Sequence, residues 1–230
     1  MRTLTALAAV LLIAACGDRE APSGEAFATP PAHDAAAPLA KAGPAEGGEQ
    51  GGSDDWRQVA SAEDAARLGR LAQAWRMARA EAEDKGFAEQ VEALGPLVDP
   101  NAGLAGQLHP APGTYRCRTI KLGSNAPDGL AYVEYPWFQC TVELTPGGDL
   151  IFARTGGSQR SRGLLYPDGE RRLIFIGAQA LGAETGYPGY GDQPIRDQIG
   201  VFERIGPERW RLAIPWPRVE AKLEILELVK

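Results

Sequence analysis

From residue 113 onward, polar and apolar positions alternate. Tyr115 and Cys117 alternate with Arg116 and Arg118, and Phe138, Cys140, Val142 and Leu144 with Trp137, Gln139, Thr141 and Glu143. Leu150 and Phe152 continue the pattern, and Trp210, Leu212 and Ile214 alternate with Arg209, Arg211 and Ala213. A period of two marks strands with one buried face. Eight such runs can be placed, at about 113–121, 135–144, 149–156, 158–166, 171–176, 199–205, 209–214 and 223–229. Pro146-Gly147-Gly148, Pro167-Asp168-Gly169 and Gly206-Pro207-Glu208 separate several of them and read as hairpin turns. Sequential strands joined by short turns predict a mainly β fold, an antiparallel up-and-down barrel of about eight strands. Closing the sheet removes its exposed edges. An open two-sheet sandwich is the alternative.

Before the strands the period is helical. Ala65, Leu68, Leu71, Ala72, Trp75, Ala78 and Ala82 recur at three- and four-residue steps, and Ser61 with Asp64 forms an N-terminal capping pair. Gly86 interrupts the run. Phe87, Val91 and Leu94 predict a second short helix, ended by Gly95-Pro96. The apolar stripe is expected to pack on the barrel.

The N-terminal region has neither period. One arginine precedes an apolar run of about a dozen residues, the pattern of a secretory signal peptide and too short for a span. Ile13-Ala14-Ala15-Cys16 looks like a bacterial lipobox, which implies cleavage before Cys16 and lipid on that residue. A plain secreted protein is the alternative. Gly17 follows, with no aspartate to retain the protein at the inner membrane, so outer-membrane attachment on the periplasmic side is the default. From Gly17 to Ser53, Ala, Pro, Gly and Glu dominate, and Phe27 and Leu39 are isolated. Such a stretch cannot bury enough surface to order itself, and reads as a tether. The expected organisation is a signal peptide at 1–15, a lipidated cysteine and tether at 16–54, a helical segment at 55–100 and a barrel at 101–230.

Charge and cysteine content narrow the picture. The chain has 24 Lys plus Arg against 30 Asp plus Glu. From Gly113 onward the count is 15 basic and 14 acidic, a net of +1. No domain carries the one-signed field that nucleic acid needs. If Cys16 carries lipid, Cys117 and Cys140 remain, and in an oxidising compartment they are expected to form a disulfide; two buried free thiols are the rival. Cys140 shares a face with Phe138, Val142 and Leu144, so the bridge would lie inward.

The segment Thr155-Gly156-Gly157-Ser158-Gln159-Arg160 raises the question of chemistry. A phosphate loop needs a lysine and a following helix, and neither is present. A serine-nucleophile elbow needs a second glycine two residues after the serine, where Arg160 stands. A Ser158–His109 dyad would need the one histidine outside the tether. A tight corner between strands is the simpler reading. No His, Cys or Asp cluster has metal-ligand spacing, and no metal or cofactor is expected.

Gly113-x-Tyr115-x-Cys117-Arg118 before Lys121-Leu122-Gly123 is the first of five motifs. The second is Thr155-Gly156 with Ser158-Gln159-Arg160 and Gly163-x-x-Tyr166-Pro167, where Gly157 is an added residue. Tyr190-Gly191-Asp192 with Arg196-Asp197-x-x-Gly200 is the third. Glu203-Arg204-Ile205-Gly206, and Arg209-Trp210-Arg211-Leu212 with Pro215-x-Pro217, complete them. Together they resemble a family of Gram-negative lipoproteins and exported proteins built on one domain of unknown function. The similarity runs from about Trp56 to the C-terminus and implies a shared fold and an envelope location, with no activity to carry over. More distantly, the architecture is similar to bacterial lysozyme inhibitors, which present a serine and a basic residue to the enzyme's carboxylates. Ser158 and Arg160 are the nearest equivalents.

The stretch from Gly177 to Gln198 lacks periodicity and is too long for a turn. The candidate binding residues are therefore Ser158, Gln159, Arg160, Tyr187, Tyr190, Asp192, Arg196 and Asp197; self-packing of the loop is the bland alternative. Ser158, Arg160, Arg162, Leu164 and Tyr166 share a face, and if it points inward Arg160 needs Asp197 or Glu203 as a partner. The first reading is a non-enzymatic envelope protein, anchored to the membrane by its lipid, that binds an envelope or foreign protein. The second is a lipocalin-like carrier of a small ligand or lipid, although Phe138, Phe152, Phe175 and Trp210 argue for a filled barrel. A hydrolase using Asp192 and Asp197 ranks third, because nearby arginines would hold both carboxylates ionised.

Overall fold

A computed structural model describes residues 54–230. The expected signal peptide, lipidated Cys16 and tether lie outside the described residues. The eight expected runs form strands, and a ninth, β2, was not expected: β1 Gly113–Ser124, β2 Tyr132–Glu134, β3 Phe138–Leu144, β4 Leu150–Arg154, β5 Gln159–Pro167, β6 Leu173–Leu181, β7 Asp197–Gly206, β8 Arg209–Pro215 and β9 Ala221–Val229. All neighbours are antiparallel, in the order β2-β1-β3-β4-β5-β6-β7-β8-β9, and β1 also pairs with β9. That pairing closes an eight-stranded barrel, with β2 as an addition. The first half of β1 pairs with β3, and β2 takes Ile120–Leu122.

Four helices precede the barrel: α1 Trp56–Val59, α2 Ala62–Gly69, α3 Leu71–Ala82 and α4 Ala88–Ala93. Ser61 Oγ accepts from the Asp64 amide at 3.1 Å, capping α2. A non-helical Arg70 (φ −99°, ψ 16°) divides α2 from α3, and Gly86, at φ 91°, makes the bend before α4.

Three apolar clusters hold these parts together. The barrel interior packs Tyr115, the two cysteines, Phe152, Phe175, Phe202, Trp210, Leu226 and Leu228. Cys117 and Cys140 are joined, and the bridge lies in this interior between β1 and β3. On the outer wall, Trp56 and Leu68 pack on Ile174, Ile176, Ile199 and Val201. Trp75, Ala78, Val91 and Leu97 cover Ile120, Leu122, Leu223 and Ile225.

The covered outer wall explains where alternation fails in the sequence. β6 runs to Leu181 and β7 begins at Asp197, so the aperiodic stretch from 177 to 198 shrinks to a loop at 182–196. Ile174, Phe175 and Ile176 are all buried, because helices cover the face opposite the core. A strand buried on both sides reads as a continuous apolar run. Gly163 and Gly177 face each other across β5 and β6, where a Cβ would sit 2.2 Å and 2.1 Å from the opposing backbone. Only glycine permits that approach.

Candidate functional site

An up-and-down barrel sorts its connections between two ends. The residues at 125–137, 155–158, 182–196 and 216–220 lie at one end, and the hairpin turns at 145–149, 168–172 and 206–208 at the other. The interior is divided in the same way. Its hairpin half is apolar, whereas towards the loop end the same inward face carries Thr119, Lys121, Arg154, Gln159, Ser161, Gln179, Gln198 and Glu224.

These polar side chains mostly satisfy one another. Arg154 Nη1 donates to Thr119 Oγ1 at 2.8 Å, its Nε donates to the Gly156 carbonyl at 3.0 Å, and its guanidinium stacks 4.4 Å from the Phe138 ring centroid. Lys121 Nζ donates to Gln159 Oε1 at 2.6 Å and to Glu220, and lies 3.8 Å from Glu224 Oε2. Lys121 and Arg154 thus face Glu224 inside the barrel, and Glu220 closes the balance from a surface loop. Trp216 and Glu220 hold left-handed backbones, φ 48° and 73°, which non-glycine residues rarely adopt. Arg67 Nη1, donating to the Trp216 carbonyl at 3.1 Å, and Trp216 Nε1, donating to the Arg70 carbonyl at 3.3 Å, fix this loop to α2 and its end.

The space beside Glu224 amounts to about 10 Å³, bordered by Lys121, Gln179, Gln198 and Asp197. That is about the room of one water. Gln198 Oε1 and Ser161 Oγ are buried without a partner. Among the described residues no cluster of three or more His, Cys, Asp or Glu is placed to hold a metal.

Burial pushes the Glu224 carboxyl above the usual carboxylate range, against the pull of Lys121 and Arg154. The folded chain therefore holds this proton more tightly than the unfolded one. Stability falls as pH rises above the ordinary glutamate value of about 4.3. Glu224→Gln removes that contribution. Urea midpoints of variant and parent should diverge in the variant's favour as pH rises above about 4.3; a constant difference counts against it.

The residues singled out from the sequence gather at this loop end, and most of them hold it down. The β5 face carrying Arg160 points outward, opposite to the case that would have called for a carboxylate. Leu165 faces the core, so Arg160 and Arg162, an odd number of positions away, cannot. Arg160 instead donates to the carbonyls of Gly157 (3.0 Å), Gly182 (2.7 Å) and Glu184. Gln159 points inward. The Ser158 carbonyl accepts from the Gly182 amide at 2.7 Å. Tyr187 donates to the Arg154 carbonyl at 2.7 Å beneath Arg160 and Arg162. Arg196 grips Glu184 with two contacts of 2.7 Å, and Asp192 accepts from the Gly189 amide at 2.8 Å. Asp197 accepts from the Gly191 amide at 3.0 Å, and burial raises its carboxyl. Ser158 and His109 lie at opposite ends of the barrel, so they form no dyad. Gly157, at φ 86°, makes the corner between β4 and β5, where a Cβ would meet Arg154 at 2.6 Å.

Tyr190 reaches furthest. Its hydroxyl donates to Asp64 on α2 and accepts from the Ser61 amide at 2.9 Å. Burial and the bond to Asp64 push the phenol up to about 12. Burial also raises Asp64, but the hydrogen bonds from Tyr190 and Arg67 outweigh it and hold the carboxylate ionised. Tyr190→Phe should cost about 2 kcal/mol, the scale of a hydrogen bond to a buried charge. It should also speed protease cleavage within 182–196. A loss below about 0.5 kcal/mol would show that the loop is held without it.

Lys121, Arg154, Gln198 and Glu224 were not singled out from the sequence. The available signal was polar residues on the strand face shared with Cys117, Phe152, Phe202 and Leu226.

A family model described as a domain of unknown function (DUF4893) matches residues 56–228. Neither the curated proteins nor the solved structures contain a match.

Proposed function

This chain belongs to the DUF4893 family, and from that premise we propose that it is a lipid-anchored protein of the cell envelope that binds another protein through the loop end of its barrel. One observation carries the reading. Leu130, Ile195 and Val219, on three different loops of that end, stand 71%, 61% and 42% exposed, above an interior filled by its own side chains. Ile195 and Val219 border one depression together with Arg196 and Arg218, apolar groups among charges, which is the make-up of a protein-binding patch. The loops beneath are tied to the barrel and to α2, so little ordering cost remains on binding. An inhibitor-like role follows from the same rigidity, with Ser158 and Arg160 at this end.

The carrier reading has the packing against it. Phe152 packs about 6 Å from both Phe175 and Phe202 in one half, and ion pairs occupy the other. Within the barrel, beneath its two ends, neither half offers room for an acyl chain. A hydrolase reading has no substrate space beside Asp197.

Affinity capture from envelope extract with the full chain should retain a protein that the Ile195→Asp/Val219→Asp variant loses, and added lysozyme should be inhibited by the parent and spared by the variant. Equal capture and equal inhibition by both would remove the loop end as the binding surface. Cys16→Ser should move the protein from the membrane to the soluble fraction of fractionated cells.

A further inference from the structure

The hairpin end of the barrel holds an open cleft of about 340 Å³. Its size falls within the roughly 300–1,000 Å³ common for small-molecule sites. Tyr115 and Trp210 form its floor, ring to ring at 5.9 Å and nearly perpendicular. The Tyr115 hydroxyl donates to the Ala111 carbonyl at 2.6 Å and Trp210 Nε1 donates to the Leu108 carbonyl at 3.0 Å. Both aromatics thus spend their polar atoms on the segment leading into β1; they are 3% and 7% exposed, so only a narrow ring edge, chiefly of Trp210, faces the cleft.

Two charges border this floor. The Lys230 amide donates to the Glu208 carbonyl at 3.2 Å, so the two residues are backbone neighbours. Their side chains both line the cleft, yet among the described residues neither makes an ion pair. The Lys230 ammonium lies 4.4 Å from the Tyr115 ring centroid instead. Gly113 leaves room for it, since a Cβ there would sit 3.0 Å from Nζ. Gln107, at the rim, holds a left-handed backbone with φ 48°. Residues kept in such conformations cluster at binding sites.

An apolar floor with one free ammonium and one free carboxylate is complementary to a molecule carrying the opposite pair. We propose that this cleft binds a small zwitterion, an amino acid or short peptide with a free amine and a free carboxylate. Its apolar side chain lies against the Trp210 edge, Ala111 and Pro207, its carboxylate on Lys230 and its amine on Glu208. The site shares no residue with the loop end, so failure here leaves the protein-binding reading intact, and the reverse also holds.

Calorimetric titration of the full chain with the dipeptide Ala-Phe, its N-acetyl form and its C-terminal amide tests the assignment. Ala-Phe should bind saturably, and each blocked form at least roughly ten-fold more weakly, because each loses one charge-assisted contact. Lys230→Met should abolish the preference for acid over amide and keep that for the free amine, and Glu208→Gln should do the reverse. Both side chains are exposed, so both variants should melt like the parent. Absence of saturable binding, equal affinity for the three peptides, or variants that keep both preferences would each overturn the proposal.

Discussion

Replacing Arg211 with methionine should lower the unfolding free energy by about 3–5 kcal/mol, the cost of breaking a buried ion pair from one side. For a domain of this size, that corresponds to a fall in Tm of roughly 10 °C. Arg211 is fully buried although its strand turns it away from the barrel interior, since Trp210, Leu212 and Ile214 take the inward face. The helical layer covers it. Nε and Nη2 donate to Glu203 Oε2 at 2.9 and 2.7 Å, and Nη1 donates to the carbonyls of Pro96, Leu97 and Asp99. The guanidinium also stacks 5.0 Å from the Trp75 ring centroid. Truncation leaves Glu203 and three carbonyls without their donor, and methionine fills the volume but supplies none. Arg211→Lys keeps the charge and loses the planar fork, so it should fall between the two. Thermal and urea unfolding read both variants. A loss under about 1 kcal/mol for the methionine variant would mean that Arg211 does not clamp helices to barrel.

Removing the disulfide with Cys117→Ala/Cys140→Ala should cost about 2–5 kcal/mol. The bridge closes a sequence separation of 23 residues. Restriction of the unfolded chain by such a loop is worth roughly 3.4 kcal/mol in the loop-entropy account. The bridge also ties β1 to β3 within the interior cluster. The tie stands where β1 passes from β3 to β2, and Cys117 is the last β1 residue paired with β3. Urea midpoints of the parent with and without reductant, and of the double variant, measure the effect. Midpoints unchanged within error in both comparisons would leave the bridge without a stabilising role.

Much of the architecture was legible in the residues because its signals are local. Alternation at Phe138–Leu144 depends only on a two-residue period and one wet face. The Cys117–Cys140 bridge followed from counting cysteines in a chain whose first residues read as an export signal. The Ser61 cap and the Gly157 corner are equally short-range. Local signals lost their meaning wherever a second layer covered the sheet. Ile174-Phe175-Ile176 does not alternate, and Arg211, in a position that reads as exposed, is completely enclosed.

By itself, then, the order of residues determined the strand-rich class, the hairpin turns, the helices before them and the pairing of the two barrel cysteines, all written within a few residues or in simple counts. Only the tertiary structure decided which face of β5 turns inward, and that Arg160 therefore holds carbonyls rather than a carboxylate. It also gathered Lys121, Arg154 and Glu224 from three strands, and His109, Tyr115, Glu208, Trp210 and Lys230 around one cleft. The reason is that barrel closure brings β1 against β9 and selects one face of every strand for the interior. That choice is made by all eight strands together and is written in none of them alone.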